Sequence, residues 1–324
     1  MENIIKVSGL RKEFQEITAV KNIDFNVKKG ELFGFLGPNG AGKSTTIQML
    51  CTLLKPTNGK AIVNGYNTTI NPGKVRKSIG LVFQESTLDE NLTAYENLKY
   101  HANFYGVKKE KAEKRINEVL NMVQLIERKN SIVEDFSGGM KRRLEIARGL
   151  LHYPQVLFLD EPTIGLDPQT RNKIWDFIEN LKETENITIF LTTHYMDEAE
   201  YCDRIAIMDH GEIIAIDSPE KLKANLGGDI IKTKIENKDE AKKEIEKMYE
   251  VEVQEYKGYL TFEHNNGEEF IPKFVNHFKE QIKSITMQQP TLDDVFLNLT
   301  GRELRDEEAS TTDKMKNTMR KRGH

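Results

Sequence analysis

Hydrophobic and polar positions change their spacing several times along the chain. Between Ile4 and about Pro219, short runs of β-branched residues alternate with stretches of helical spacing, a pattern typical of an α/β domain. Between Glu85 and Asp135 the strand pattern disappears, which predicts a helical insert at about residues 85–140. One helical stripe in this insert contains Ile116, Val119, Leu120 and Val123. The predicted strands are ELFGFLG, KAIVNG, SIGLVFQ, VLFLDEP, ITIFLTTH and RIAIMDHGEIIAID.

After Ser218-Pro219 the chain becomes rich in Lys and Glu. Strand patterns occur in DIIKTKIE, VEVQEY, YLTFEH and IKSITMQQ, with a turn expected at Lys257-Gly258, and helical spacing occurs in DEAKKEIEKMY and most of FIPKFVNHFKEQ. These elements predict a small α+β domain over residues 221–300, following a first domain over residues 1–220. Residues 301–324 are polar, so we expect a disordered tail.

Composition narrows the choice of partner and compartment. The chain has 324 residues, of which 30% are charged, but its net charge is only −4, so we expect no nucleic-acid partner. No apolar run approaches the ~20 residues that span a bilayer, and no signal peptide is recognisable, so we expect a cytosolic protein. Cys51 and Cys202 are the only cysteines and form no CxxC pair, which disfavours a disulfide framework or zinc site.

The strongest chemical motif is GPNGAGKST, which fits G-x-x-x-x-G-K-[ST] between a predicted strand and a predicted helix. Its glycines let backbone N–H groups turn toward phosphates, while Lys43 supplies a positive charge and the Ser44 hydroxyl can ligate Mg²⁺. A chance glycine turn is the alternative, and the strand-loop-helix context disfavours it. The candidate phosphate-binding residues are Gly37, Pro38, Asn39, Gly40, Ala41, Gly42, Lys43, Ser44 and Thr45.

The run VLFLDEP ends a buried strand in two acids, Asp160 and Glu161. Two carboxylates at such a place are costly unless a cation or a reaction uses them. Asp160 suits Mg²⁺, reached through water, and Glu161 can polarise a water molecule that attacks a phosphate. A pair of helix-capping acids is the alternative, and it accounts for one carboxylate more easily than for both.

Two further polar residues follow predicted strands. His194 ends ITIFLTTH, and Gln84 follows IGLVF. A lone His at a strand end is more often structural than catalytic. Gln84 on its own is also a weak indicator of function. In a parallel sheet, however, both positions would lie beside the phosphate loop, because ligands bind at the carboxyl ends of the strands.

A second anion-binding pattern occurs in FSGGMKRRLEIARGL, where Ser137, Gly138 and Gly139 open a helical run. A helix start offers free N–H groups and the positive end of the helix dipole. Since the chain already has a phosphate loop at residues 37–45, this pattern leaves open which phosphate the second loop would bind.

Taken in order, GPNGAGKST, Gln84, FSGGM, VLFLDEP, GLDP and His194 resemble the ATP-binding cassette of ABC transporters over about the first two-thirds of the chain. The resemblance implies that ATP and Mg²⁺ bind, that Gln84 senses the metal and the membrane partner, and that Asp160 supports the metal. It also makes Glu161 the catalytic base and His194 the contact to the γ-phosphate.

The resemblance also implies a partner. In this family two cassettes pack head to tail, so that Ser137 and Gly139 of one subunit close over the γ-phosphate at the other subunit's phosphate loop. Asp167 then belongs to the loop that crosses to the other subunit, and Phe14 takes the place of the Tyr that stacks on adenine. We therefore expect a homodimer or a pair with a similar cassette, docked on a separate polytopic permease at the inner face of the cell membrane.

The sequence departs from the usual LSGGQ signature at Phe136 and Met140. Together with EPTIGLDPQTR and QPTLDDVFLNLTGR, this departure resembles the daunorubicin-resistance branch of ABC exporters. Within the last string, an apolar helical stripe could dock on a second subunit, but packing within its own chain is the favoured interpretation. The stripe consists of Leu292, Val295, Phe296 and Leu299.

We therefore interpret the chain as the ATP-hydrolysing subunit of an exporter. The alternative is a soluble ABC ATPase of DNA repair or translation, but such proteins usually have a long coiled-coil insertion or tandem cassettes, and this chain has neither. A P-loop kinase or GTPase would not need SGG, Asp167 and His194 together.

Overall fold

The computed structural model describes residues 2–256 and 258–300 and divides them into two compact units, residues 2–218 and 219–300. The sequence interpretation placed this boundary at residue 220. Lys257 of the predicted turn and the whole predicted tail, residues 301–324, lie outside the described residues. In the described part of the chain, every helix is too short or too polar to cross a membrane.

The first unit contains ten strands and seven helices among its described residues. Its strands are β1 (Asn3–Phe14), β2 (Ile17–Lys28), β3 (Leu32–Leu36), β4 (Asn58–Val63), β5 (Tyr66–Asn67), β6 (Ile79–Val82), β7 (Val156–Asp160), β8 (Thr188–Thr193), β9 (Arg204–Asp209) and β10 (Glu212–Asp217). Its helices are α1 (Lys43–Leu50), α2 (Pro72–Ser78), α3 (Ala94–Phe104), α4 (Lys109–Met122), α5 (Gly138–Leu150), α6 (Pro168–Glu185) and α7 (Met196–Ala199).

The site-bearing sheet has six strands in the order β10-β9-β3-β8-β7-β6. All neighbours are parallel except β10 and β9, which form an antiparallel hairpin. Every residue of β3, β7 and β8 is buried, as expected for strands that are covered on both faces. The shared strand direction brings the carboxyl ends of β3, β7 and β8 to one edge of the sheet.

A second, antiparallel sheet has the order β2-β1-β4-β5. The sequence interpretation did not identify the long strands β1 and β2. Their register shifts at several points, including between Val7 and Leu10, where Gly9 has a φ of 57°. These irregularities break the period of two by which a strand is recognised. Inward-facing Phe25 nevertheless joins a shared aromatic core with Phe33, Phe35 and Phe190, with ring centroids no more than 6.1 Å apart.

The helical insert between β6 and β7 contains α3, α4 and the start of α5, with single 3₁₀ turns at Ile126–Arg128 and Val133–Asp135. Helix α3 begins at a capping box, in which Thr93 and Glu96 satisfy each other's backbone N–H groups. The predicted apolar stripe is confirmed, because its four residues are fully buried. They are Ile116, Val119, Leu120 and Val123.

The second unit contains α8 (Pro219–Ala224), β11 (Asp229–Ile235), α9 (Lys238–Tyr249), β12 (Gln254–Tyr256), β13 (Tyr259–His264), α10 (Gly267–Phe278), a 3₁₀ turn (Lys279–Gln281), β14 (Ile282–Gln288) and α11 (Leu292–Thr300). The antiparallel sheet order β12-β13-β11-β14 gives the split β-α-β arrangement of ferredoxin-like domains. Strand β12 is shorter than predicted.

The apolar stripe on α11 is mostly used inside the second unit, where this helix packs against α8. Leu292, Val295 and Phe296 are at most 2% exposed, whereas Leu299 is 43% exposed. Three of the four residues are therefore unavailable to a second subunit.

A stack of aromatic rings that begins on α3 predicts that acid lowers the stability of the folded protein. His101 on α3 packs against Tyr105, which stacks on His152 with ring centroids 4.0 Å apart. Burial, together with the positive charges of Arg148 and His152, lowers the pKa of His101 to about 4.

We expect His101→Gln to flatten the dependence of Tm on pH. In the unfolded chain His101 takes up a proton below a pKa of about 6.5, but in the folded chain it does so only near pH 4. The unfolded state therefore binds more protons between these values, and the parent should lose stability steeply there as the pH falls. Curves of Tm against pH that run parallel for the parent and the variant would contradict this prediction.

Candidate functional site

The phosphate loop connects the end of β3 to the start of α1. Gly42 caps α1 with a φ of 103°, a left-handed conformation that favours glycine. A Cβ atom at Gly42 would also lie 2.5 Å from the carbonyl oxygen of Ala19 in β2. The start of β2 therefore packs directly on the loop and leaves no room for a side chain at Gly42.

Lys43, the first residue of α1, is almost fully buried and extends along the loop. Its Nζ donates hydrogen bonds to the carbonyl oxygens of Gly37 at 2.7 Å and Pro38 at 3.1 Å. The same Nζ lies 3.6 Å from Oε1 of Glu161. The positive charge is thus held between the loop and the acid at the end of β7.

Asp160 connects the loop to two strands. Its Oδ1 accepts hydrogen bonds from the Ser44 hydroxyl at 3.1 Å and from the Thr192 hydroxyl at 2.6 Å. The Thr192 hydroxyl in turn accepts a bond from the backbone N–H of Glu161 at 3.0 Å. Hydroxyl and carboxylate oxygens are the ligands that Mg²⁺ prefers, so the Ser44 and Asp160 donor set fits that ion.

Glu161 lies in a left-handed turn, with a φ of 46°, and its carboxylate is buried. Its Oε2 is 3.4 Å from Nδ1 of His194, which follows β8. Burial raises the pKa of Glu161, but the close contact with His194 and the charge of Lys43 outweigh that effect, and the net pKa is lowered. The group is therefore an anion at neutral pH and can accept a proton.

The remaining predicted residues lie outside this cluster. Gln84 is exposed in the loop after β6, and Phe14 is 44% exposed at the end of β1. Asp167 is the N-cap of α6 and accepts hydrogen bonds from the N–H and hydroxyl of Thr170. These bonds lower the pKa of Asp167.

The second glycine loop opens α5 at the surface. Ser137 is the N-cap of this helix and accepts a hydrogen bond from the N–H of Met140, and both Ser137 and Gly138 are exposed. Gly139 is buried against Thr170, because a Cβ atom there would overlap the Thr170 side chain. The structure therefore seats this loop on the start of α6.

Sequence reasoning missed three supporting residues. Thr192 is a polar residue at the end of a fully buried strand, and that mismatch could have identified it. Glu198 on α7 accepts hydrogen bonds from Thr163 and Thr193 and pairs with Arg171 at 3.4 Å, which fixes the turn around His194. Arg142 on α5 lies in the basic run KRR, yet it is buried.

Comparisons with known proteins agree with this geometry. A family profile described as ABC transporter matches residues 20–164. The linearmycin resistance ATP-binding protein LnrL of Bacillus subtilis (strain 168) is 41% identical over 314 residues, which cover 94% of this chain and 100% of that protein. The chain belongs to the ATP-binding proteins of ABC transporters. The daunorubicin/doxorubicin resistance ATP-binding protein DrrA of Streptomyces peucetius is 36% identical, over 96% of this chain and 97% of that protein.

Solved ABC cassettes share the fold. A dimeric cassette in a post-hydrolysis state, bound to ADP and Pi, has a TM-score of 0.60 and 32% identity, over 66% of this chain and 98% of that chain. The structure of cbiO1 from Clostridium perfringens, part of an ABC transporter complex, has a TM-score of 0.65 and 29% identity, over 76% of this chain and 95% of that chain.

These findings confirm the predicted family and fold class. The chain is an α/β ABC ATPase with a P-loop, a helical insert and a small C-terminal α+β unit. As an ABC ATPase it binds and hydrolyses ATP. The individual roles of the site residues stay predictions.

Proposed function

We propose that this ABC ATPase powers an exporter by hydrolysing ATP at the inner face of the cell membrane, on a separate polytopic subunit. The observation that carries the proposal is the buried Glu161 carboxylate, which lies between Lys43 and His194 and follows Asp160, the partner of Ser44. Relatives named for linearmycin or daunorubicin resistance, and a 37% identical Nod factor export ATP-binding protein of Rhizobium sp. (strain N33), favour export over a soluble repair or translation ATPase.

The residues of the first unit divide the work of binding. The backbone N–H groups of residues 37–45, except Pro38, and the Lys43 ammonium would hold the phosphates, and Phe14 would stack on the adenine. Ser44 and Asp160 would hold Mg²⁺, with Gln84 completing the metal's surroundings on the side of the membrane subunit. When bound, the ion neutralises phosphate charge and orients the γ-phosphate.

Glu161 acts as the general base in this proposal. Its lowered pKa keeps it ionised, so that it can accept a proton from an attacking water molecule. The Thr192 hydroxyl fixes the backbone N–H of Glu161, and His194 holds one carboxylate oxygen from the far side. The base is thus oriented before the reaction begins, which lowers the cost of reorganisation.

The exposed loop at the start of α5 requires a second cassette. Ser137 and Gly138 present a helix N-terminus to solvent, and Gly139 fixes that loop against α6. In a head-to-tail homodimer this loop would close over the γ-phosphate bound by the partner, and Asp167 at the start of α6 would lie at the same interface. Each ATP would then be held by both chains.

We expect Glu161→Gln to bind ATP but to hydrolyse it roughly 10²–10⁴-fold more slowly, because general-base assistance is lost. ATP should then hold the variant as a stable dimer. Size-exclusion chromatography with and without Mg-ATP, beside a phosphate-release assay, measures both effects. Hydrolysis at the parent rate would remove Glu161 from the role of base.

Mixing Lys43→Ala with Ser137→Arg tests the shared site. Each variant alone should be inactive, since one lacks the phosphate loop's charge and the other blocks the signature loop. Mixed dimers combine one intact phosphate loop with one intact signature loop, so part of the ATPase activity should return. If mixed dimers form, as shown by differently tagged chains, and stay inactive, either both sites must be intact for hydrolysis or the signature loop does not act across the interface.

Identifying the protein that co-purifies with this chain tests the transport part of the proposal. We expect the tagged protein, purified from detergent-solubilised native membranes, to carry a polytopic membrane protein as its main companion. A tag-only sample is the control. Recovery with ribosomes or DNA, and without a membrane protein, would favour the soluble alternative.

A further inference from the structure

Arg142 lies on α5, five residues after Ser137, yet its side chain is only 6% exposed. Its guanidinium donates hydrogen bonds to four backbone carbonyl oxygens. The distances are 2.5 Å to Phe83, 3.0 Å to Asp160, 3.2 Å to Glu161 and 2.6 Å to Pro162. One side chain therefore links the signature helix to the end of β6 and to the turn that carries the proposed base.

Glu145, one turn further along α5, completes this link. Its Oε2 pairs with Arg142 at 3.1 Å, while its Oε1 accepts a hydrogen bond from the N–H of Thr87 at 3.0 Å. The segment that contains Gln84 is thus attached to α5 at both ends, at Phe83 through Arg142 and at Thr87 through Glu145. Glu145 is itself buried.

The geometry suits an arginine and no other residue. A guanidinium has five N–H donors in a rigid plane and stays charged, whereas a lysine ammonium has three donors at one point. Burial lowers the pKa of Arg142, and the nearby carboxylates of Glu145 and Asp160 offset that shift only in part. Without the guanidinium, the carbonyl groups of Phe83, Asp160 and Pro162 would each lose a donor, and that of Glu161 would keep the N–H of Ile164 at 3.3 Å.

The turn at Glu161 depends most on this support. A non-glycine residue with a positive φ persists only where its surroundings fix it. Arg142 binds the carbonyl groups before, at and after the turn, and Thr192 binds the N–H of Glu161. If the carbonyl bonds were lost, the backbone of residue 161 could relax and its carboxylate would move away from Lys43 and His194.

We propose that Arg142 is a positioning residue that holds the Gln84 loop and the Glu161 turn in register with the signature helix, and thereby couples the two ATP sites of a dimer. This inference rests on the proposed function, in which Ser137 serves the partner's ATP. A shift of α5 on closure over the partner's nucleotide would be passed through Arg142 to the base of its own chain.

Arg115 provides a matched control within the same chain. It is 5% exposed, pairs with Glu118 three residues on at 3.3 Å, and donates to the carbonyl of Leu150 at 2.7 Å. Its contacts do not include the segments around Gln84 and Glu161. Replacing either arginine by Gln should lower Tm, but only Arg142→Gln should disturb the site.

We expect Arg142→Gln to lower kcat per nucleotide-binding site by roughly 10- to 100-fold, since small displacements of a catalytic group have effects of this size. Nucleotide affinity should be close to that of the parent, because Lys43 and residues 37–45 are untouched. The cooperative dependence of the ATPase rate on ATP concentration should also be lost. Hydrogen exchange in the nucleotide-free chain should rise at residues 83–87 and 160–163 in Arg142→Gln and stay at parent levels in Arg115→Gln.

Two further variants keep the test decisive. The double variant Arg142→Gln, Glu145→Gln removes the buried carboxylate that the single variant would leave unpaired. Arg142→Lys keeps the positive charge. If Arg142 acts by positioning the carbonyl groups, both variants should keep the lowered kcat. A purely structural role predicts kcat per binding site equal to the parent's in every folded variant, and that result would overturn the inference. An inactive parent chain would instead count against the proposed function.

Discussion

The site in the first unit depends on accommodating two adjacent carboxylates, Asp160 and Glu161, at the buried end of β7. Removing such charges from water costs several kcal/mol each unless partners compensate for it. Asp160 obtains hydroxyl donors from Ser44 and Thr192, and Glu161 obtains Lys43 and His194. These partners follow or end β3 and β8, so they converge only because β3, β8 and β7 are parallel neighbours in the sheet.

A second set of contacts orients these groups without touching the phosphates. The Glu161 turn has a conformation that its own sequence disfavours, and buried carbonyl groups on either side of it need donors. Arg142 provides these donors from the helical insert, and Glu198 fixes Thr163 and Thr193 on the other side. Helix α5, which opens with the exposed second glycine loop, therefore supports the turn that carries Glu161.

The sequence predicted what depends on local pattern. The phosphate loop, the strand-end acids and the buried insert stripe each have a short signature in glycine placement or apolar spacing. Arg142 and Thr192 have none, because a basic residue in KRR or a Thr in a strand acquires its role only when distant segments meet. Strands β1 and β2 were missed for a different reason, since bulges near Gly9 interrupt their alternation.

The second unit accounts for apolar residues that the phosphate chemistry does not explain. Its βαββαβ sheet and two helices enclose their own aromatic core around Phe262, Phe270 and Phe274, and α11 adds Phe296 to the buried residues next to α8. Since every member of the Lys43–Glu161–His194 cluster lies in residues 2–218, substitutions in the second unit leave the direct contacts of Glu161 unchanged.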